Sequence, residues 1–499
     1  VDTVWVLGDQ LNRNLGALAG AGPGQVRVLL VESTAKLRSA PWHRQRAHLV
    51  IAAMRRFAAE LVAEGFEVDL RRAASLRAGH AEHVAEHRPG TVRAMEPASW
   101  DGLELLRRLG VEVVRSDQFL CHRDEFAAWA GTRSARSLKM EDFYRWQRRR
   151  LDHLMDGDEP AGGRWNFDHD NRKPPPADGG HWPEPVRTPL DELDREVLAD
   201  LEATCDGLWG DEPDGTWATS RAEALRRLDH AVTEVLPIFG PHEDAMLAGN
   251  WHLAHTLLSP YLNLGLLLPG EVCDAVEAGY RAGRIPIASA EGFIRQVIGW
   301  REYVWGVYWR EMPGYRTVNA LGASRPLPPA FTGAPTSMRC LDVTLGDVGR
   351  HGWAHHIQRL MVLGNLGLLA AVDPWALTRW MWSGFVDGAE WVMLPNVLGM
   401  ATHADGGLMA TKPYAAGGAY LDRMSDYCKG CRYDRRLRTG PDACPFTTLY
   451  WDFLDRHTER FARHPRVAQQ VRAAGRLGDL PAVRERAVEV LARLDAGTL

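Results

Sequence analysis

Residues 4–9, VWVLGD, and 26–32, VRVLLVE, are short β-branched runs, and residues 43–65, HRQRAHLVIAAMRRFAAELVAEG, carry apolar side chains at helical spacing up to Gly65. EVDL (67–70) and VEVVRS (111–116) repeat the strand pattern beyond that helix. Strands alternating with helices predict a parallel sheet with helices on its faces. Ligands of such sheets sit beyond the carboxyl ends of the strands. Gly8, Asp9 and Gln10 close the first run and Glu32 closes the second. These four are candidates for a small-molecule crevice, or else ordinary turn and cap residues.

Working outward, residues 157–214 lose periodicity and are rich in Pro, Gly and charge, as in a long connection between domains. Its segment WNFDHDNRKP (165–174) combines aromatic, amide, acid and arginine, a mixture suited either to a polar planar ligand or to stapling two domains together. Beyond Arg221 the helical period returns and holds almost to the end. The expected division is an α/β domain over 1–130, a connection over 131–220 and a helical domain over 221–499.

The chain has 499 residues, a length that calls for more than one hydrophobic core. Its net charge of -5 excludes a global positive field for nucleic acid, so a polyanion site has to be a local patch such as Arg145, Arg148, Arg149 and Arg150. No bilayer-length apolar run or basic leader is visible, and seven cysteines of uneven spacing do not read as a secreted disulfide framework. A cytoplasmic monomer is expected. Nineteen tryptophans leave room, beyond the core, for a base-stacking surface or an electron path.

Four cysteines carry the strongest chemical signal. Cys428 and Cys431 form a two-residue-spaced pair, Cys444 follows in the same Arg-rich loop, and Cys340 lies upstream. Soft thiolates in that number suit zinc or an iron–sulfur cluster, and spacing leaves both open. In HTLLSPYLNLG (255–265), His255, Thr256 and Ser259 place imidazole and hydroxyl donors before a helix, an arrangement for an anion or plain capping. Arg301 and Glu302 suggest a buried ion pair. In HGWAHHIQRLMVLGN (351–365), a continuous helix would put His351, His355 and Arg359 on one face, with His356 about 100° away. A His pair at this spacing can bind metal, but with the cysteines already supplying one metal site, proton-transfer or contact roles stand against satisfied core histidines. Asp387 is the acid amid Trp380, Trp382 and Trp391.

GDQLN (8–12), HTLLSPYLNLGLL, EGFIRQVIGWREYV, HGWAHHIQRLMVLGN, WVMLPNVLGM, ADGG and the four cysteines together resemble the iron–sulfur bacterial cryptochrome and photolyase family, in particular its prokaryotic (6-4) photolyase branch. The likeness runs from about Val4 to Trp451. It implies a Rossmann-like α/β antenna domain with a parallel sheet, followed by an all-α domain that binds FAD and a [4Fe-4S] cluster held by Cys340, Cys428, Cys431 and Cys444. His255, Thr256, Leu258 and Ser259 match the FAD phosphate loop. Gln296, Arg359 and Asp387 match partners of the flavin body. Gly8, Asp9, Gln10 and Glu32 would face an antenna, 6,7-dimethyl-8-ribityllumazine.

The implied activity is light-dependent repair of (6-4) pyrimidine-pyrimidone photoproducts in UV-damaged DNA. Asp168, Arg172 and Tyr414 match lesion-side positions, and His355 and His356 match the family's catalytic histidines, with His356 as proton donor. A cryptochrome-like blue-light photoreceptor with the same cofactors is the alternative. Trp380 matches the inner member of a photoreduction chain, with Trp382 and Trp391 as further candidates. The chain departs from the family at Met381, where an aromatic is expected, and at Met393, where an acid is common. No tryptophan stands just upstream of Cys340, where the outer member of that chain belongs.

Overall fold

The computed structural model describes residues 1–134 and 138–499. Five parallel strands, β1 (Asp2–Trp5), β2 (Val26–Ser33), β3 (Glu67–Ala73), β4 (Val92–Met95) and β5 (Glu112–Val114), form one sheet in the order β3-β2-β1-β4-β5. The pattern of residues 1–116 predicted four of them. The strand missed is β4, whose VRAM is too short to show a period.

Side chains alternate between the two faces of the sheet, as the pleat requires. Val4, Val6, Val28 and Leu30 pack under helix Arg44–Ala63, whereas Trp5, Leu29, Val31 and Ala94 form a separate cluster on the opposite face. Gly79 in helix Leu76–His87 lies against that second cluster, where a Cβ would come within 2.6 Å of Val31. Both faces are therefore covered, which explains the unbroken apolar run of β2.

The connection is not featureless. Helix Glu192–Thr204 straps it to helix Arg44–Ala63 through Arg55 to Asp200 (2.7 Å), Arg56 to Asp191 (2.8 Å) and His48 to Asp194 (3.1 Å). Asp191 caps the strap helix in a reciprocal arrangement with Asp194. The remaining part, around residues 164–190, is mostly irregular, with one short turn of helix at Asp168–Asn171.

From Arg221 onward the described residues build a helical domain. Four of its helical segments are π-helical: Ala231–Val235, Arg295–Arg301, Gln358–Gly364 and Leu394–Ala401. Wide turns of this kind gather at functional sites, and two of these carry Gln296 and Arg359. The carboxyl end of β1 is tied to this domain: Leu11 N donates to Leu264 O (2.8 Å) and Asn12 Nδ2 to Gly265 O (2.8 Å). No helix among the described residues is long and apolar enough to cross a membrane.

Candidate active site

Two of the residues expected to hold a flavin, Ser259 and Arg359, meet at a third, Asp387. Its carboxylate, 7% exposed, accepts from both terminal nitrogens of Arg359 (2.9 and 3.1 Å) and from Ser259 Oγ (2.7 Å). Asn263 Nδ2 donates to the Asp387 carbonyl (2.8 Å). Arg359 itself lies over Phe385 (4.0 Å) and Trp353 (5.7 Å). Arg46 reaches the same corner from the α/β domain, donating to Phe385 O (2.9 Å) and to Gly388 O. Three distant sequence motifs and an arginine of the other domain thus form one polar cluster.

Leu258 is buried and precedes the helix Ser259–Leu264, which is only six residues long. The half-buried His255, Thr256 and Ser259 side chains therefore supply more of any anion site than the short helix dipole does. Leu253 and Leu257 flank His255 with φ of 45° and 57°, a left-handed conformation costly for a branched side chain and common at binding loops.

The helical reading of 351–359 is corrected by the structure. Helix Arg339–His351 ends at Gly352, whose φ of 62° turns the chain, and helical geometry resumes only at His356. His351 stacks on Trp251 (4.1 Å), whereas His355 stacks on His255 (4.7 Å, 11° between planes). The ring nitrogens of His255, His355 and His356 lie within 4.8 Å of one another.

These three imidazoles have different environments. His355 is 1% exposed, and neither ring nitrogen has a hydrogen-bond partner; His255 Nε2 also lacks one. Burial, reinforced by neighbouring positive charge, pushes both well below the ordinary imidazole value. They are neutral. His356 instead exposes its side chain and places Nε2 3.2 Å from Asp244 Oδ1. Burial opposes a proton there, but the hydrogen bond and charge of Asp244, with the charge of Glu243, raise His356 above its ordinary value. Environments that push like groups apart separate their roles. His356 can carry the proton; His355 and His255 suit uncharged contacts.

Glu243 is buried, accepting from Gln296 Nε2 (3.0 Å) and Asn171 Nδ2 (3.3 Å). Burial pushes its carboxyl up to about 7 against the opposing charges of His356 and Arg295. Gln296 is thus linked to the segment Asp168–Asn171. Asp168 pairs with Arg172 and with Arg295 (3.2 Å), and the charges of Arg172, Asp168 and Asp244 all act on Tyr414. Asp168, Arg172, Tyr414 and His356 therefore share one rim.

Asp244, Glu243, Arg295 and Tyr420 belong to that rim and were not singled out from the sequence. The pair Glu243–Asp244 offered only two acids in a loop. Arg148, by contrast, leaves the positive patch expected around it: it is fully buried and donates to the carbonyls of His153, Leu154 and Trp165.

At the strand ends, Gln10 is buried and donates to Glu96 O (3.0 Å), while Asp9 is half-buried and pushed up to about 6 by burial. Gly8 faces Met54, whose sulfur a Cβ would approach to 3.0 Å. Glu32 is held by Arg55 in two hydrogen bonds (2.8 and 3.0 Å), so its carboxylate is committed within the domain. Arg301 and Glu302 form the anticipated buried pair (2.7 Å).

The cysteines come from three segments. Cys340 begins helix Arg339–His351, Cys428 and Cys431 bracket a turn, and Cys444 caps helix Pro445–Arg456. Gly430, φ 78°, makes that turn, and Arg339 closes it by donating to Lys429 O (2.7 Å). Burial pushes the Cys340 thiol well up, and Cys428, Cys431 and Cys444 pack against the core cluster that holds it. Among the described residues, the sets whose ligand atoms gather within 4.8 Å are two histidine-containing groups, and the thiols are not among them.

The tryptophans separate. Trp380 is buried beside Phe385 (6.0 Å), Trp382 lies under Lys36 (5.3 Å), and Trp391 packs with Trp305 (5.7 Å) and Phe119 (5.0 Å). Met393 is buried in the same core as Met381.

A (6-4) photolyase of Agrobacterium fabrum is 40% identical over 490 residues, spanning 95% of this chain and 96% of that protein. A family model described as deoxyribodipyrimidine photo-lyase-related protein matches residues 4–217. A bacterial class III photolyase from Agrobacterium tumefaciens, solved by crystallography, covers 99% of this chain and 98% of its own at a TM-score of 0.54 and 17% identity, a likeness of fold. The chain belongs to the cryptochrome/photolyase family, on its bacterial (6-4) photolyase branch. Its parallel sheet and helical domain are the photolyase architecture.

Proposed function

We propose that this protein is a light-dependent DNA repair enzyme that reverts (6-4) pyrimidine-pyrimidone photoproducts. The observation that carries this reading, beside the family, is the His356–Asp244 contact on a rim that also holds Asp168, Arg172 and Tyr414.

The residues suit FAD. Buried imidazole nitrogens without partners on His255 and His355 are costly unless a ligand supplies acceptors. Ser259, Arg359, Asp387 and Gln296 would hold the flavin, which supplies light-driven electron donation to the lesion. The four thiols, packed in one cluster, suit a [4Fe-4S] centre bracing the helix that leads to His355. Asp9, Gln10 and Gly8 would face a 6,7-dimethyl-8-ribityllumazine antenna.

The chain's own residues manage the substrate and the proton. Reaching the rim requires the damaged bases to leave the stack, at a cost of a few kcal/mol that is smallest where pairing is already broken. Arg172 offers charge to flanking phosphate, and Lys412 and Arg423, which lie over the rings of Tyr414 (6.0 Å) and Tyr420 (5.4 Å), add charge on the Tyr414 side. His356, kept protonated by Asp244, gives its proton to the migrating group and recovers it afterwards.

The test is blue-light treatment of an oligonucleotide with one defined (6-4) lesion. Recovery of the two thymines is expected. Turnover of cyclobutane dimers alone would overturn the lesion assignment.

A further inference from the structure

The residue after Trp380 is Met381, and Trp382 turns away to Lys36, so neither adjoining side chain continues an electron path from Trp380. Among the described residues the rings beside Trp380 are Phe331 (4.9 Å), Phe385 (6.0 Å) and Trp209 (6.1 Å, 27° between planes). Phenylalanine is far harder to oxidise than indole. The one readily oxidisable ring in that set is Trp209.

Trp209 comes from the connection between the domains, on no helix or strand. Its indole is nevertheless held in place. Nε1 donates to Pro41 O (3.0 Å), the backbone pairs with Trp42 and Arg44, and the His43 ring meets it edge-on at 4.8 Å. Gly384 makes room for it, since a Cβ there would come within 3.0 Å of the indole. Trp209 is half-buried, and its N–H lies at the surface end of the stack. Inward, Trp380 is separated from the Arg359–Asp387 pair by the single ring of Phe385, over which Arg359 sits at 4.0 Å.

We infer that Trp209 is the outer electron donor of this protein, relaying electrons through Trp380 to the bound flavin when the flavin is oxidised. This rests on the flavin reading above. Trp380 loses one electron to the light-excited oxidised flavin, and Trp209 returns one electron to the Trp380 radical cation. The Trp209 radical cation releases its indole proton to water. A soluble thiol then restores the neutral indole by hydrogen-atom transfer, and two thiyl radicals combine as a disulfide.

The test uses the flavin-loaded protein and the variants Trp209→Phe, Trp209→Tyr and Trp251→Phe. The last interrupts the rival contact of Trp353 with Trp251, 5.6 Å apart near Arg359. Trp209→Phe should slow light-driven flavin reduction by thiol roughly tenfold or more at unchanged flavin content, the mark of a lost step rather than lost binding. Trp209→Tyr, still oxidisable, should recover much of that rate and show a tyrosyl radical in transient absorption. A purely structural role would leave Phe and Tyr alike.

In flavin-free protein, Trp209→Phe and Trp380→Phe should remove the same component of the far-ultraviolet indole exciton signal, while Trp251→Phe should leave that component in place. An unchanged photoreduction rate in Trp209→Phe, or a loss confined to Trp251→Phe, would overturn the assignment. Protein isolated without any flavin would instead overturn the reading on which it rests.

Discussion

Asp244 Oδ1 stands 3.2 Å from Nε2 of His356, while the adjacent His355 has no hydrogen-bond partner on either ring nitrogen. Two successive histidines are thereby divided: Asp244 raises His356 at the rim above the ordinary imidazole value, and burial pushes His355 in the interior well below it.

His356→Ala should lower repair by about 10²-fold or more, the usual worth of a positioned proton donor, without loss of bound flavin. Single-turnover repair and flavin absorbance measure the two effects separately. Full activity would remove the proton role.

If His356 is the proton donor proposed above, the rate of repair should fall at alkaline pH, since the donor acts protonated and Asp244 raises its titration. Asp244→Asn removes that support, so the alkaline limb of the pH profile should move to lower pH. A limb that stays in place would show that another group sets it.

Arg359→Ala leaves the Asp387 carboxylate with one buried partner fewer, and breaking such a pair costs about 3–5 kcal/mol. Lower thermal stability and loss of flavin during purification are expected. Asp387→Asn, which keeps the shape, should lose less of both.

Cys428→Ser should yield protein without iron and in low amount, since binding of a metal centre across three chain segments is coupled to folding. Iron analysis of the parent protein should give about four per chain, from the thiolate count of such clusters. One zinc per chain would contradict the assignment.

Stability should decline from pH 7 to pH 5. Burial pushes His43, His351, His403 and His457 down to about 4 from an ordinary 6.5, so unfolding takes up protons below 6.5 and their contribution is lost as pH falls. Asp9, pushed up to about 6, and Glu243, to about 7, act oppositely, stabilising most at low pH. Four histidines outweigh two acids in this window. Thermal melts across it measure the slope, and a rising midpoint on acidification would refute the balance.

Legibility varied with the range of the interaction. The runs at 4–9 and 26–32 announced β1 and β2 because successive residues must be apolar when both faces are covered. VRAM at β4 carried too few residues for any period. The histidine region was misread as one helix because periodicity cannot see that Gly352 adopts φ 62°, which takes His351 to Trp251 and leaves His355 on His255. Glu32 marked a strand end correctly, yet its partner Arg55 lies a helix away, and only packing brings the two together.

By itself the sequence determined the α/β then all-α order, the four thiols and the motifs that place the chain in its family, since these depend on local periodicity and residue type. Tertiary structure alone decided which histidine favours a proton, which arginines stay at the surface and which ring meets Trp380. Those depend on burial and on partners from Asp244, Trp165 and Trp209, contributed by segments far away in the chain. Charge and contact at a site are properties of the space around a side chain, and that space is made only when distant segments fold against one another.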